Sequence, residues 1–389
     1  MSSPSFGFSR YAALVGGLAI IAACGGARDE GPAEASSSSG APAPAPASSA
    51  STCDPSAARD VVVASDDLNG YPPYAVAECS LVYVSSSGDL MLRDLATTAE
   101  VKLAPVSEKP RRPTVAIDVD GDRRTLLVVW ESMLVAGPAV RVRFGDRVST
   151  VAGDFVMATE PRARDHFVAF TAWKGTTASD DTDVWLYDAR TDTARPAIGG
   201  PGQQRFADVS GTHVVATDFS EDPDGRFDGA NDLADLAVFD IASSVATRRP
   251  APGKQAFPML SSKGALAYLS WNAVQAQPTL ESYVLMAGSV LGDPGADHMI
   301  ARVKYSSPEP ARPAFAGETL EWIADPDGVT ALYRAPADGS AAPARAFGQA
   351  GLLLYAPASS SGTRADFTVL AASRLSSADR TPRLHAVGR

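Results

Sequence analysis

One strand-and-turn unit returns along the chain. The stretch "DVWLYDARTDTARPAI" (183–198) has close kin at "DLMLRDLATTAEVKL" (89–103) and "DLAVFDIASSVATRR" (235–249). In each, apolar positions alternate along a short run, the period-two mark of a strand. An aspartate then opens a turn: Asp188 to Thr191, Asp94 to Thr97 and Asp240 to Ser243. A carboxylate capping the backbone two residues on, with Thr or Ser following, predicts a hairpin by a stated mechanism. A weaker copy, "ALYRAPADGSAAPARAF", turns at Asp338-Gly339.

A second cue lies between these hairpins: a short segment, a turn, then a strongly apolar strand. It occurs at 75–86, 113–132, 158–173, 206–220, 257–271, 313–325 and 347–359. Four short strands every 40 to 50 residues is about the spacing of propeller blades. The helical period is absent over any long stretch, and Pro and Gly are frequent. The chain therefore predicts an all-β propeller, with seven blades favoured inside a range of six to eight. A ring of blades lets about 330 residues form one domain, because each blade packs only on its neighbours. Closure is expected from the final "TPRLHAVGR" pairing with the early "YAVAECSLVYVSS", which would remove two sheet edges.

The units "DVWLYDARTDTARPAI…FADVSGTHVVATDF" and "DLAVFDIASSVATRRP…FPMLSSKGALAYLSW" resemble TolB-type β-propeller repeats. That family pairs an Asp-x-x-Thr turn with a hairpin of the form P-x-(W/F)-S-x-(D)-G. Here the hairpin turn is altered to "SSKG" and "DVDGD", and residues 280–312 fit the pattern badly. The resemblance implies a rigid scaffold for protein partners in envelope complexes.

The N-terminus sets the expected address. Residues 1–23 carry one charge, Arg10, and then the apolar run "YAALVGGLAIIAA". A positive start and a short apolar core read as an export signal. A run of about 13 residues falls short of the roughly 20 a spanning helix needs. The run ends in "IAAC", which resembles the lipobox of bacterial lipoproteins. The resemblance makes Cys24 the lipid-carrying first residue and the anchor to the membrane; otherwise this is an ordinary secretory signal. Residue 25 is glycine where the enteric family uses aspartate for inner-membrane retention, which favours the outer membrane. Residues 24–55 then form a Ser/Ala/Pro linker with almost no large apolar residue and too little apolar surface to fold. The propeller is expected over 56–389.

Cys53 and Cys79 remain. In an oxidising compartment two such thiols are expected to bridge, tying the linker to an early strand; the alternative is two buried free thiols. The net charge of −11 lacks the basic footprint of nucleic-acid binding.

Candidate chemistry is sparse. The loop "DFSEDPDGRFDGANDLAD" (218–235) offers Asp222, Asp224 and Asp228 as oxygen ligands for calcium, with Asn231 and Asp232 nearby. Against this stands a plain acidic loop, since "DPDG" returns at Asp325–Gly328. Asp118, Asp120 and Asp122 form a lesser candidate at a turn. No G-x-S-x-G motif is present, and His166, His213, His298 and His385 fall in different units, so no catalytic set is expected. The tryptophans read as inter-blade packing, although Trp173 and Trp271, which end strands, could stack on sugars at a rim. Two functions follow: a non-catalytic scaffold for an envelope protein, or a propeller enzyme or carbohydrate-binding protein acting on extracellular polysaccharide with calcium.

Overall fold

The computed structural model describes residues 53–59, 61–68, 70–151, 153, 155–173, 181–226, 233–271, 282–304, 311–362, 365–375 and 380–388. The expected signal, Cys24 and nearly all of the linker lie outside the described residues, as do Asp228, Asn231 and Asp232.

Strands follow one another in antiparallel sets of four. Blade 1 holds β1 (Tyr74–Ala77), β2 (Ser80–Val84), β3 (Leu90–Asp94) and β4 (Glu100–Ala104). Blade 2 holds β5 (Arg111–Asp120), β6 (Arg123–Leu134), β7 (Gly137–Phe144) and β8 (Arg147–Thr150). Blade 3 holds β9 (Met157–Arg164), β10 (Phe167–Trp173), β11 (Asp183–Asp188) and β12 (Thr193–Ile198). Blade 4 holds β13 (Gln204–Val209), β14 (His213–Asp218), β15 (Asp235–Asp240) and β16 (Val245–Arg249). Blade 5 holds β17 (Lys254–Leu260), β18 (Ala265–Trp271), β19 (Ser282–Ser289) and β20 (His298–Lys304). Blade 6 holds β21 (Ala314–Ala316), β22 (Thr319–Ala324), β23 (Ala331–Pro336) and β24 (Ala344–Gly348). In blade 7, β25 (Leu352–Leu354) and β26 (Ala358–Gly362) lie end to end along one side of β27 (Ala365–Arg374), and β28 (Arg383–Gly388) takes the other side.

The first strands of successive blades pack on one another in a closed cycle, from β1 through β5, β9, β13, β17, β21 and β26 back to β1. This is the expected all-β propeller, with seven blades. Burial follows position in the blade. The second strand β14 is buried at every residue, whereas the fourth strands β8 and β16 are mostly exposed. A second strand has a neighbouring blade on each face, so both of its faces are buried, with the apolar residues of β14 at its centre, Val214 to Ala216.

The predicted hairpins form as expected. Asp94 Oδ1 accepts from Ala96 N at 2.7 Å, Asp188 Oδ1 from Arg190 N at 2.8 Å and Asp240 Oδ1 from Ser243 N at 2.6 Å. Each turn then passes through the left-handed region, at Thr98, Asp192 and Ser244. These turns join third to fourth strands.

Closure uses other residues than the sequence suggested. The segment "YAVAECSLVYV" is already committed to β1 and β2 of a complete blade. The partner of β28 is instead Val61–Val63: Leu384 N donates to Val61 O at 2.9 Å and Val63 N to Pro382 O at 3.2 Å. The N-terminal segment thus supplies the fourth strand that blade 7 lacks. Tyr74 locks the same seam, donating to Ala356 O at 2.6 Å and accepting from Ala371 N at 2.9 Å. The disulfide joins Cys53 to Cys79, with 5.2 Å between Cα atoms. Cys79 lies in the turn between β1 and β2, so the bridge fixes the start of the closing segment to blade 1.

Candidate functional site

The first strands of blades 2 to 5 share one distortion. Two residues face one on the second strand: Arg112 and Pro113, Glu160 and Pro161, Phe206 and Ala207, Phe257 and Pro258. The first of each pair has a positive φ: 51° at Arg112, 56° at Glu160, 57° at Phe206 and 55° at Phe257. A bulge leaves one backbone N–H out of the ladder, and proline has none to leave. Non-glycine residues in this region cost about 1–2 kcal/mol each. Four of them recur at one bulge position.

They gather around Tyr71. This residue follows the closing segment and is 5% exposed. The guanidinium of Arg112 stands 5.0 Å from its ring centroid, that of Arg162 4.8 Å and that of Arg312 5.3 Å. The rings of Phe206 and Phe257 lie 4.5 Å apart in the same apolar cluster as Tyr71. A turn presents the tyrosine: its N–H donates to Asp67 Oδ1 at 3.2 Å, while Asp67 Oδ2 accepts from Arg112 Nε at 2.9 Å. Arginines from blade 2, blade 3 and the segment leading into blade 6 thus meet one side chain, with Phe206 and Phe257 of blades 4 and 5 in the same cluster, and this side chain plugs the axis near the beginnings of the first strands.

Buried carboxylates tie the blades together around this plug. Glu131, fully buried, takes Arg112 Nη1 at 3.3 Å and the hydroxyl of Thr159 from the next blade. Glu160 takes Arg205 of the next blade, Thr171 Oγ1 at 3.1 Å and Phe206 N at 3.4 Å. Burial alone would raise the Glu160 carboxyl, but Arg205 and then Arg112 outweigh it and hold it at about 2. Glu321 takes Arg334 Nε at 2.6 Å, Thr368 Oγ1 at 2.5 Å and Ser359 from blade 7. Burial, aided by Glu160, pushes the Tyr71 hydroxyl up to about 12.

Beyond the plug the axis opens into a cavity of about 330 Å³. It runs along the first strands to the turns that lead into second strands, where Glu78, Arg124 and Asp165 stand. Val115, Ile117, Met259 and Phe315 share its walls with Thr114, Asp208 and Ser359, and Arg162 and Arg312 line it beside the plug.

The residues singled out from sequence lie elsewhere. Asp222 and Asp224 sit in the loop between β14 and β15. Asp222 Oδ1 accepts from Asp224 N at 3.1 Å and its Oδ2 from Leu233 N at 2.7 Å, and Asp224 Oδ1 accepts from Arg226 N at 3.0 Å. The neighbouring carboxylates Asp218, Glu221 and Asp235 surround Arg248, at 2.9, 2.6 and 2.9 Å. Among the described residues no three His, Cys, Asp or Glu side chains form a metal-holding group. Asp118 lies in β5, 3% exposed, gripped by Arg190 through Nε at 2.9 Å and Nη2 at 2.8 Å, with His166 Nδ1 at 3.2 Å. It clamps blade 2 to blade 3. His213 has Thr212 Oγ1 at 2.8 Å and Asp240 Oδ2 at 3.4 Å, a chain of contacts within two neighbouring turns and away from the cavity. Trp130, Trp185 and Trp322 are buried core. The side chain of Trp271 lies outside the described residues.

Sequence reading missed the axial group. Its signal was the dipeptide X-Pro at the start of first strands: Arg112-Pro113, Glu160-Pro161, Phe257-Pro258 and Arg312-Pro313.

No known family's sequence profile matches the chain. No curated protein matches it either. Solved structures do. The β-propeller domain of the Trilobed protease from Pyrococcus furiosus, described with an open velcro topology, aligns at a TM-score of 0.57 and 8% identity, over 85% of this chain and 94% of that one. A prolyl endopeptidase aligns at 0.51 and 11% identity, over 85% of this chain and 50% of that one. TolB from Acinetobacter baumannii is a weaker likeness, at 0.42 and 12% identity, over 69% of this chain and 62% of that one, less than two thirds of its length. At such identities it is the propeller architecture, and not an activity, that this chain shares with them.

Proposed function

We propose that this chain is a TolB-like, envelope-anchored propeller that acts as a non-catalytic scaffold for a protein partner. The anchor in this reading is a lipid on Cys24, and the address is the outer membrane. One observation carries it. Four buried carboxylates of the described ring serve as ties: Glu131, Glu160 and Glu321 bond to the next blade, and Asp118 receives Arg190 from it. What the ring leaves open is an axial cavity, a feature for binding. The TolB-like repeats and the lipobox-like "IAAC" add the envelope setting.

The test is capture by chemical cross-linking in intact cells of the organism, using the full chain with a C-terminal tag. A protein recovered in stoichiometric yield, and bound again by the purified chain at a defined affinity, supports the scaffold. A polysaccharide or calcium that raises the melting temperature, with no protein recovered, overturns it in favour of the carbohydrate-directed reading, because a ligand selective for the folded state stabilises that state.

A further inference from the structure

Arg162 and Arg312 face the same cavity, and neither has a carboxylate within salt-bridge distance among the described residues. Arg312 is 3% exposed. Its Nη2 donates to three carbonyls, Phe206 at 3.2 Å, Ala207 at 3.1 Å and Pro258 at 2.9 Å, while its Nη1 has no partner. Arg162 donates only weakly through Nη2, to Gly70 O at 3.5 Å, and its Nε has no partner. Burial, and then the charge of Arg312, lowers Arg162 to about 10. Arg164 lies in the same lining and donates to Leu260 O at 3.3 Å. Asp208 answers these three cations in the lining, and its Oδ2 already accepts from Leu260 N at 2.8 Å. At the turn end Glu78 pairs with Arg124, and Asp165 stands in the same lining.

A buried guanidinium beside a half-buried one, each with an unused N–H, is costly unless an anion meets them. The planar fork of arginine suits a carboxylate. The shape selects further. Tyr71 stops the channel behind the arginines, so a chain cannot thread through; only an end can reach them. The walls where such an end would lie are mixed, with Val115, Ile117 and Met259 beside Thr114, Asp208 and Ser359. We infer that the axial cavity is a binding site for the C-terminal carboxylate of a partner protein, seated on Arg162 and Arg312 with apolar side chains against Val115, Ile117 and Met259. This deepens the scaffold reading and rests on it.

The probes are a short peptide ending in two apolar residues with a free carboxylate, the same peptide as its C-terminal amide, hexanoate, and inorganic phosphate. Each is titrated into the purified chain at constant ionic strength while melting temperature and binding heat are followed. The free-acid peptide is expected to stabilise the chain, the amide to bind at least about tenfold more weakly. Arg162→Met keeps the stem over Tyr71 and relieves the like-charge pair, so it is expected to melt no lower than the wild type while losing the peptide response. Arg312→Lys keeps a charge but not the fork and is expected to weaken the peptide by a similar factor. Equal responses to acid and amide, a response to hexanoate or phosphate alone, no response to any probe, or an undiminished response in Arg162→Met would each overturn the inference. Cross-linking capture then separates the two levels. A partner recovered equally by wild type and Arg162→Met keeps the scaffold and removes the axial site; no partner with either removes the scaffold itself.

Discussion

Leu384 N donates to Val61 O at 2.9 Å, and this bond, with that of Val63 to Pro382, joins the two ends of the described ring. Val63 is 1% exposed and packs in the cluster shared by blades 7 and 1. Val63→Pro removes one closing hydrogen bond, worth about 1 kcal/mol, and disturbs the apolar contact, for a total loss near 2–4 kcal/mol. The fall is expected in urea unfolding, with the midpoint shifting and the slope retained. An unchanged midpoint would mean that the ring does not depend on this strand.

The disulfide anchors the same segment from the other side. Cys53 and Cys79 are separated by 26 residues, and a loop of that size constrains the unfolded chain by about 3 kcal/mol. Reduction is expected to lower the melting temperature of the wild type and to leave a Cys53→Ser, Cys79→Ser double variant where it was. Thermal melts with and without reductant read this directly.

Much of the ring was legible in the sequence, and the reasons are local. Asp94, Asp188 and Asp240 cap their own turns, so the hairpins needed no tertiary contact to be read. The second strands, such as β14, carry an apolar centre on both faces, Val214 to Ala216, because blades cover both. The closing strand was not legible: Val61–Val63 is three residues long, and its partner lies over 300 positions away in the chain. The axial site was hidden for a related reason. Arg162 and Arg312 look like ordinary strand residues, and only the ring brings them to one tyrosine. The candidate calcium ligands stood out because they are adjacent in sequence, which is also how a solvated Asx-rich loop looks.

The inter-blade carboxylates predict an acid limb. The Glu160 carboxyl is held at about 2, mainly by Arg205 against the opposing effect of burial. A depressed carboxyl contributes stability above its unfolded value and loses it as pH falls towards the folded one. Glu160→Gln is therefore expected to cost about 3 kcal/mol at neutral pH, since it leaves Arg205 and Arg112 without that charge. The gap to the wild type should narrow between about pH 4.5 and 2. Denaturant unfolding across that window gives the measurement, and a constant gap would mean that Glu160 acts by packing alone.

The proposed anchor has its own readout. Several acyl chains on Cys24 would hold the protein firmly, at about 0.8 kcal/mol per buried methylene. Cys24→Ala is expected to move the protein from the membrane fraction to the soluble exported fraction and to abolish incorporation of labelled palmitate. The disulfide and the melting temperature of the ring should not change. Retention of the variant in the membrane fraction would remove the lipid from the reading.

Tyr71 predicts the alkaline limb. Its hydroxyl is buried without a hydrogen-bond partner, and burial pushes it up to about 12. In the unfolded chain a tyrosine ionises near 10. Below that value both states carry the neutral hydroxyl and the stabilising difference is fully present. As pH rises from 10 to about 12 the unfolded state releases its proton first, and stability is lost. The loss from this one group is on the order of 2–3 kcal/mol. Tyr71→Phe deletes a buried hydroxyl that bonds to nothing, so it is expected to match or exceed the wild type at neutral pH. It should also flatten the decline between pH 10 and 12, while Tyr187, likewise raised to about 12, keeps part of the slope. Tyr71→Ala removes the ring on which three guanidiniums rest, and a loss of about 3–5 kcal/mol is expected at any pH. Urea unfolding of the three proteins at neutral and alkaline pH separates the hydroxyl from the ring; a phenylalanine variant as weak as the alanine one would show that the hydroxyl, not the aromatic face, holds the axis together.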